Sequence, residues 1–304
     1  MSIKQLTGIR SIRTLYLQLL YRCNYNCLHC FHGENLKRRD RITATQAFEI
    51  MSHFVSEYAT SRVVLLGGEP FLHDAIVPIT AGAHDRGLYT EICTNGHQVV
   101  RRKLTYMVDT LDRLRVSLDG LREAHDDIRK AGSYDDAVKT IKHAIDLGLK
   151  VGVTLTVTSR NVEDLPQLVE EIADLGVGEL KLHQLRPVGN AEGRTDLLVE
   201  DKSTIQASLE RCSSRLELVL DDDLIDLLDG LPAHCDQDAD PEESLARIEM
   251  SPDGALTMSC KAVGRNAHAF VWDLAEGGIE YVPSENSEIA LAIPDVRYVT
   301  LTRS

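Results

Sequence analysis

TLYLQLLYRCNYNCLHCFHG, residues 14–33, joins an apolar run to a loop with cysteines at 23, 27 and 30. The run TLYLQLL (14–20) reads as a buried strand, so the thiols sit in the loop that leaves its end. A disulfide scaffold would use pairs, and a structural zinc site would use four ligands in two close pairs. Three thiolates at C-x3-C-x2-C suit a metal centre in which one position stays open. A zinc site completed by His29 or His32 is the competing reading of the loop taken alone.

Working outward, strand-like and helix-like stretches alternate. Thr43 opens a helix, and Gln46 three residues on completes a capping-box pattern. SRVVLLGGEP, LYTEICTNG and DRLRVSLDG each read as a strand with a turn at its end. Tyr134, Ala137, Val138, Ile141, Ala144 and Ile145 share one helical face behind a Ser133 cap. LKVGVTLTVTSRN, the helix around LPQLVEEIADLG, and ELKLHQLRPVGN complete six strand–helix units, ending near residue 195. That alternation predicts an α/β fold, a partial (β/α)6 barrel on a parallel sheet. In such folds the loops after the strands carry the chemistry, and CNYNCLHC, GGEP, CTNG, SLDG, TSRN and RPVGN all fall there. Residues 1–195 therefore read as the core and 196–304 as an extension. In the extension, LELVL (216–220) reads as a strand and ARIEMSPDGALTMSC (246–260) as a hairpin about a Pro-Asp-Gly turn.

The chain has 304 residues, enough to bury a core without disulfides. No apolar run is long enough to span a bilayer, and the N-terminus is too interrupted by charge for a secretory signal. Seven cysteines, three of them clustered, fit a reducing cytoplasm and metal use. A net charge of −14 argues against a nucleic-acid surface. Cys93, at the end of a strand, reads as a core thiol.

The cysteine loop together with Gly67-Gly68-Glu69-Pro70 resembles the radical S-adenosylmethionine (radical SAM) superfamily. The resemblance implies that Cys23, Cys27 and Cys30 ligate three irons of a [4Fe–4S] cluster, leaving the fourth for SAM. It also implies that SAM is cleaved to a 5′-deoxyadenosyl radical that takes hydrogen from substrate. Gly68 and Glu69 would hold the SAM amino group, where a double glycine admits close backbone approach and a carboxylate suits an ammonium. Asn95, Ser117 and Asp119 match positions that contact the ribose or amino-acid part. Arg129 resembles an arginine that meets the SAM carboxylate, and Leu185 would lie near the adenine. His29 stands where the family often has an aromatic residue, and an imidazole can still stack on adenine. A flavodoxin- or ferredoxin-type electron donor is implied as partner, with neither nucleic acid nor membrane.

The stretch from SLDG to LRPVGNAEGR resembles the SPASM/twitch branch, whose extensions bind auxiliary clusters. Cys235 and Cys260 around the Pro-Asp-Gly turn match its opening, but no cysteine follows Cys260. With Cys212 that leaves three thiols for a second iron–sulfur cluster, completed by substrate, His234 or an aspartate. The layout also resembles the antibiotic-sugar epimerases of the superfamily, such as neomycin C epimerase. That resemblance makes Cys260 the catalytic hydrogen donor, with Cys235 second. Two substrates follow: an amino-sugar that is epimerised or dehydrogenated, attracted by the acidic segment 221–243, or a ribosomally made peptide that is epimerised or crosslinked.

Overall fold

A computed structural model of the chain describes residues 2–213, 215–220, 224, 233–235, 243–258, 265, 267–291 and 299–301. Six strands come first: β1 Ser11–Gln18, β2 Arg62–Leu66, β3 Tyr89–Thr94, β4 Arg113–Ser117, β5 Val151–Val157 and β6 Glu179–Gln184. They pair in sequence order, all parallel, with helices Ala44–Tyr58, Ile76–His84, Ser133–Asp146 and Leu165–Asp174 among the connections. Nearest-neighbour parallel pairing with helical crossovers is what strand–helix alternation demands. β1 and β6 do not pair with each other, so the barrel stays open, as expected of a partial (β/α)6 barrel.

The outward face of each strand packs on the helices. Leu15, Leu17, Val63, Leu65, Ile92, Leu114, Val116, Val153, Leu155, Leu180 and Leu182 are essentially inaccessible to solvent. Burying each such side chain is worth about 1.5–3 kcal/mol. The capping box at Thr43 and Gln46 forms as expected. Ser133 does not cap its helix; it is the first helical residue, behind Gly132 in the left-handed region at φ 80°. The cap comes from Asp126, whose carboxylate accepts from the N–H groups of Gly132 (2.9 Å) and Tyr134 (2.8 Å).

The later strands flank both edges of this sheet. They are β7 Glu217–Leu220, β8 Ala233–Cys235, β9 Ser244–Met250, β10 Ala255–Thr257, β11 Phe270–Trp272, β12 Ile279–Tyr281 and β13 Val299–Leu301. β7 extends the parallel order beyond β6, and β13 and β8 follow it antiparallel. On the other edge β9 pairs parallel with β1, which the sequence reading did not foresee. β10 turns back on β9 about Pro252-Asp253-Gly254, the hairpin read from the sequence. Gly254 sits at φ 88°, and a Cβ there would meet the Trp272 carbonyl at 2.4 Å, so only glycine fits. Among the described residues no helix is long and apolar enough to cross a membrane. Most of the acidic segment 221–243 lies outside the described residues, as does Cys260.

Candidate active site at the strand ends

The chain leaving β1 runs into the cysteine loop, and the Gly-Gly turn after β2 is pressed against its root. Gly68 N–H donates to the Leu20 carbonyl at 2.8 Å and Glu69 N–H to that of Arg22 at 3.0 Å. A Cβ on Gly68 would lie 2.3 Å from the carbonyl oxygens of Tyr21 and Arg22. The double glycine is therefore required first by backbone-to-backbone packing.

Glu69 is wholly buried and ties three loops together. Its Oε1 accepts from Phe71 N–H (3.0 Å) and Thr94 Oγ1 (2.8 Å), and its Oε2 from Asn95 N–H (2.8 Å). Burial raises its carboxyl to about 7 despite these donors. Asn95 in turn donates through Nδ2 to Asn24 Oδ1 at 2.9 Å and stands 3.8 Å from Cys23 Sγ.

Asp119, also wholly buried, is the second tie point. Its Oδ2 accepts from His29 Nε2 at 2.6 Å and from Arg129 Nε, and its Oδ1 from Thr156 N–H at 2.8 Å. Burial alone would raise this carboxyl, but Arg129 and His29 outweigh it and hold it far below the usual range. So His29 turns one ring edge to a carboxylate, and Asp119 bonds His29 and Arg129 from behind the cavity lining. Arg129 reaches on to within 4.0 Å of Cys27 Sγ. His125 Nδ1 accepts from Asp119 N–H at 3.0 Å, and burial lowers His125 to about 4.

These loops enclose one end of a cavity of about 310 Å³. Cys23, Cys27, Cys30, Gly68, Asn95, Ser117, Arg129 and Leu185 line it, so the structure brings together most of the residues singled out above. Glu69 and Asp119 stand behind that lining. Cys212 stands elsewhere: it is buried in the main apolar core with its thiol donating to the Ser208 carbonyl at 3.3 Å. For Cys235 the backbone alone is described, in β8 opposite Val299.

The other end of the cavity was missed. Tyr16, Glu91, Arg115, Thr154, Lys181 and His183 project from the inner faces of successive strands, and Arg247 and Glu249 join them from β9. Cys93 belongs to this inner wall, not to the core. Arg115 donates to Glu91 at 2.7 Å and reaches Glu179 two strands away. Gly152 leaves room for that reach, since a Cβ there would stand 3.2 Å from the Arg115 Nη1 atom, closer than ordinary contact. Arg115 overrides the effect of burial on Glu91 and lowers it to about 2. A signal was present: RLRVS, VTLTV and LKLH alternate polar and apolar residues. A parallel sheet covered on both faces by helices would be apolar throughout. The alternation marks a polar barrel interior.

The cysteine loop is suited to a polynuclear centre. Burial pushes Cys23 up to about 12 and Cys27 to about 11, so the thiols favour the neutral form until a cation compensates them. The Tyr25 N–H at 3.4 Å from Cys23 Sγ, with Arg129 near Cys27, supplies the donors around sulfur that tune such centres. Asn24 Nδ2, next to Cys23, is buried without a partner. Among the described residues no three His, Cys, Asp or Glu groups are arranged to clasp a single metal ion. An iron–sulfur cube instead takes each cysteine on a different iron.

Residues 17–172 match the profile of the radical SAM superfamily. The chain is 30% identical over 184 residues to a "Probable GTP 3',8-cyclase" of Saccharolobus islandicus, covering 59% of each chain. It is 25% identical over 203 residues to the Fe-coproporphyrin III synthase of Methanosarcina barkeri, covering 66% of this chain and 49% of that one. The chain thus spans about half to three-fifths of the curated relatives it matches. Among solved structures, Streptococcus suis SuiB bound to S-adenosylmethionine superposes with a TM-score of 0.70 at 16% identity, covering 86% of this chain and 64% of that one. The fold of anSMEcpe with bound AdoMet is similar at a TM-score of 0.59 and 14% identity, covering 81% and 74%. With the profile matching half the chain and the cysteine loop and GGEP turn meeting on one cavity, the protein belongs to the radical SAM superfamily, whose cofactors are a [4Fe–4S] cluster and SAM.

Proposed function

We propose that Cys23, Cys27 and Cys30 hold the cluster, that Gly68, Asn95, Ser117, Arg129 and Leu185 surround SAM, and that substrate fills the polar barrel interior beyond them. The observation that carries this reading is the single cavity on which all these residues meet. When bound, the reduced cluster and SAM supply a 5′-deoxyadenosyl radical that takes a hydrogen atom from substrate. The chain's own residues hold and screen that event. Asp119 fixes Arg129 beside Cys27, Glu69 locks the Gly-Gly turn to the Asn95 loop, and the apolar face of Leu185 with Ala191 and Leu197 keeps water from one wall.

The interior favours a small polar substrate that carries acidic groups. Lys181, Arg186 and Arg247 stand on its wall with Glu249, beside Arg115 and Glu91, which bond each other. Positive side chains thus outnumber carboxylates there, a pattern ill suited to a polycation. The relatives named for GTP and for coproporphyrin are in keeping with this choice. The amino-sugar epimerase reading rests on Cys260, outside the described residues, and on the acidic segment, most of which is too, and it draws nothing from the cavity. Peptide maturation is supported by the likeness in fold to SuiB and anSMEcpe, which were also solved with the precursor peptide SuiA and the Cp18Cys peptide. Anaerobically reconstituted protein should cleave SAM to 5′-deoxyadenosine under dithionite, faster with carboxylated or phosphorylated small molecules than with amino-sugars or peptides. Absence of iron–sulfur incorporation and of cleavage would refute the reading, and stimulation by an amino-sugar or peptide alone would replace the substrate class.

A further inference from the structure

Asn190, in the loop after β6, has no part in the roles above, yet it makes three bonds to the cysteine loop. Its backbone N–H donates to the Cys30 carbonyl at 2.8 Å. Its side-chain Nδ2 donates to the Cys27 carbonyl at 2.9 Å and to Asn26 Oδ1 at 2.7 Å. The preceding Gly189, at φ 62°, lies so close that a Cβ would stand 2.4 Å from the Cys30 oxygen and 2.5 Å from that of Phe31. Gly33 meets it from the other side: a Cβ there would stand 2.8 Å from Gly189 Cα. The two loops therefore touch backbone to backbone, and Asn190 supplies the directional bonds across the contact.

The loop's first cysteine is held differently. Asn95 bonds Asn24 and stands beside Cys23 from the far side, next to the Gly-Gly turn. The Cys27 carbonyl otherwise accepts from Cys30 N–H at 3.2 Å, so without the Asn190 side chain its external anchor is gone. We infer that Asn190 is a positioning residue that sets Cys27 for cluster ligation. This rests on reading Cys27 as a cluster ligand. The same loop begins with Leu185 and Arg186 on the cavity wall, so one segment both walls the cavity and anchors a ligand.

Two variants of the 304-residue chain test this. Asn190→Ala removes the side-chain donor and keeps the backbone bond to Cys30. Asn190→Asp keeps the size but turns an acceptor toward the Cys27 and Asn26 oxygens. In metal-free protein, alkylation read thiol by thiol in a mass spectrometer should speed up at Cys27 relative to Cys23 in both variants, whereas Asn95→Ala should favour Cys23. In reconstituted protein both Asn190 variants should bind iron roughly 10- to 100-fold more weakly against a chelator, the usual effect of losing an outer-shell partner. The electron paramagnetic resonance spectrum of the reduced centre should change as well. Equal acceleration at all three thiols would show a loosened fold, and unchanged thiol ratios or iron retention would show an idle contact; each overturns the inference. Should the wild-type chain take up no cluster at all, the alkylation ratios still report on Asn190, and the failure would lie with the cluster reading.

Discussion

The two parts of the chain use the same sheet in different ways. In β1 to β6 every strand runs parallel, and the loops at their ends are tied to one another by buried side chains: Glu69 to Thr94 and Asn95, Asp119 to His29 and Arg129. From β7 onward the described strands are three to seven residues long and mostly antiparallel. Their visible contribution to the cavity is Arg247 and Glu249 on β9. The contrast teaches that convergence matters more than content. Parallel strand ends bring loops from distant sequence to one place, whereas a meander leaves its turns apart.

The most drastic way to break this division is at the thiols of the first part. A triple Cys23/Cys27/Cys30→Ala variant should lose SAM cleavage completely, with 5′-deoxyadenosine measured by chromatography. Iron left in that variant would instead point to a second cluster on Cys212, Cys235 and Cys260, moving part of the chemistry into the extension. About four irons per chain would mean one such cube.

The next test asks whether the extension reacts at all. Under the epimerising reading, Cys260→Ala should still cleave SAM and abstract hydrogen but give no inverted product. Wild-type product formed in heavy water should then carry one solvent deuterium. Normal turnover by Cys260→Ala would return all the chemistry to the first part.

A third test sharpens the polar interior of the first part. Arg115→Met removes the shared partner of Glu91 and Glu179 and leaves Glu91 to Arg62 (2.9 Å) and Glu179 to Arg113. Stranding a buried charge costs about 3–5 kcal/mol, and the arginines that remain put this loss at the lower end of that range, measurable by urea unfolding. A loss under about 1 kcal/mol, the range of exposed pairs, would mean that the network is not closed as described.

The smallest expected effect is a pH dependence. His125 is lowered by burial to about 4 and so stays neutral in the fold, against about 6.5 when unfolded. Between these values the unfolded chain binds the extra proton, so stability falls as pH drops from 6.5 toward 4. The full shift corresponds to about 3 kcal/mol. His125→Asn keeps an acceptor for the Asp119 N–H and should flatten that slope; an unchanged slope would place the titration elsewhere, His32 being the next buried imidazole, lowered to about 4.

Much of the site was legible because it is local. The C-x3-C-x2-C spacing, the Gly-Gly-Glu-Pro turn and the hairpin at Pro252-Asp253-Gly254 each depend on a few adjacent residues whose backbone demands are written in their types. The cavity's charged wall was less legible. Each of its residues is one polar position in an alternating strand, and nothing local says which charge meets which.

By itself the sequence determined the strand–helix alternation, hence the parallel order of β1 to β6, and the place of the thiols at a strand end. Hydrophobic period and turn chemistry act over a few residues and need no partner to be read. Only the tertiary structure decided that Arg115 crosses β5 to Glu179, that His29 bonds Asp119, that Asp126 replaces Ser133 as a helix cap, and that β9 lies along β1. All but the Asp126 cap join groups far apart along the chain. Such contacts depend on how far a side chain reaches once its neighbours are in place, and that distance is set only when the sheet has formed.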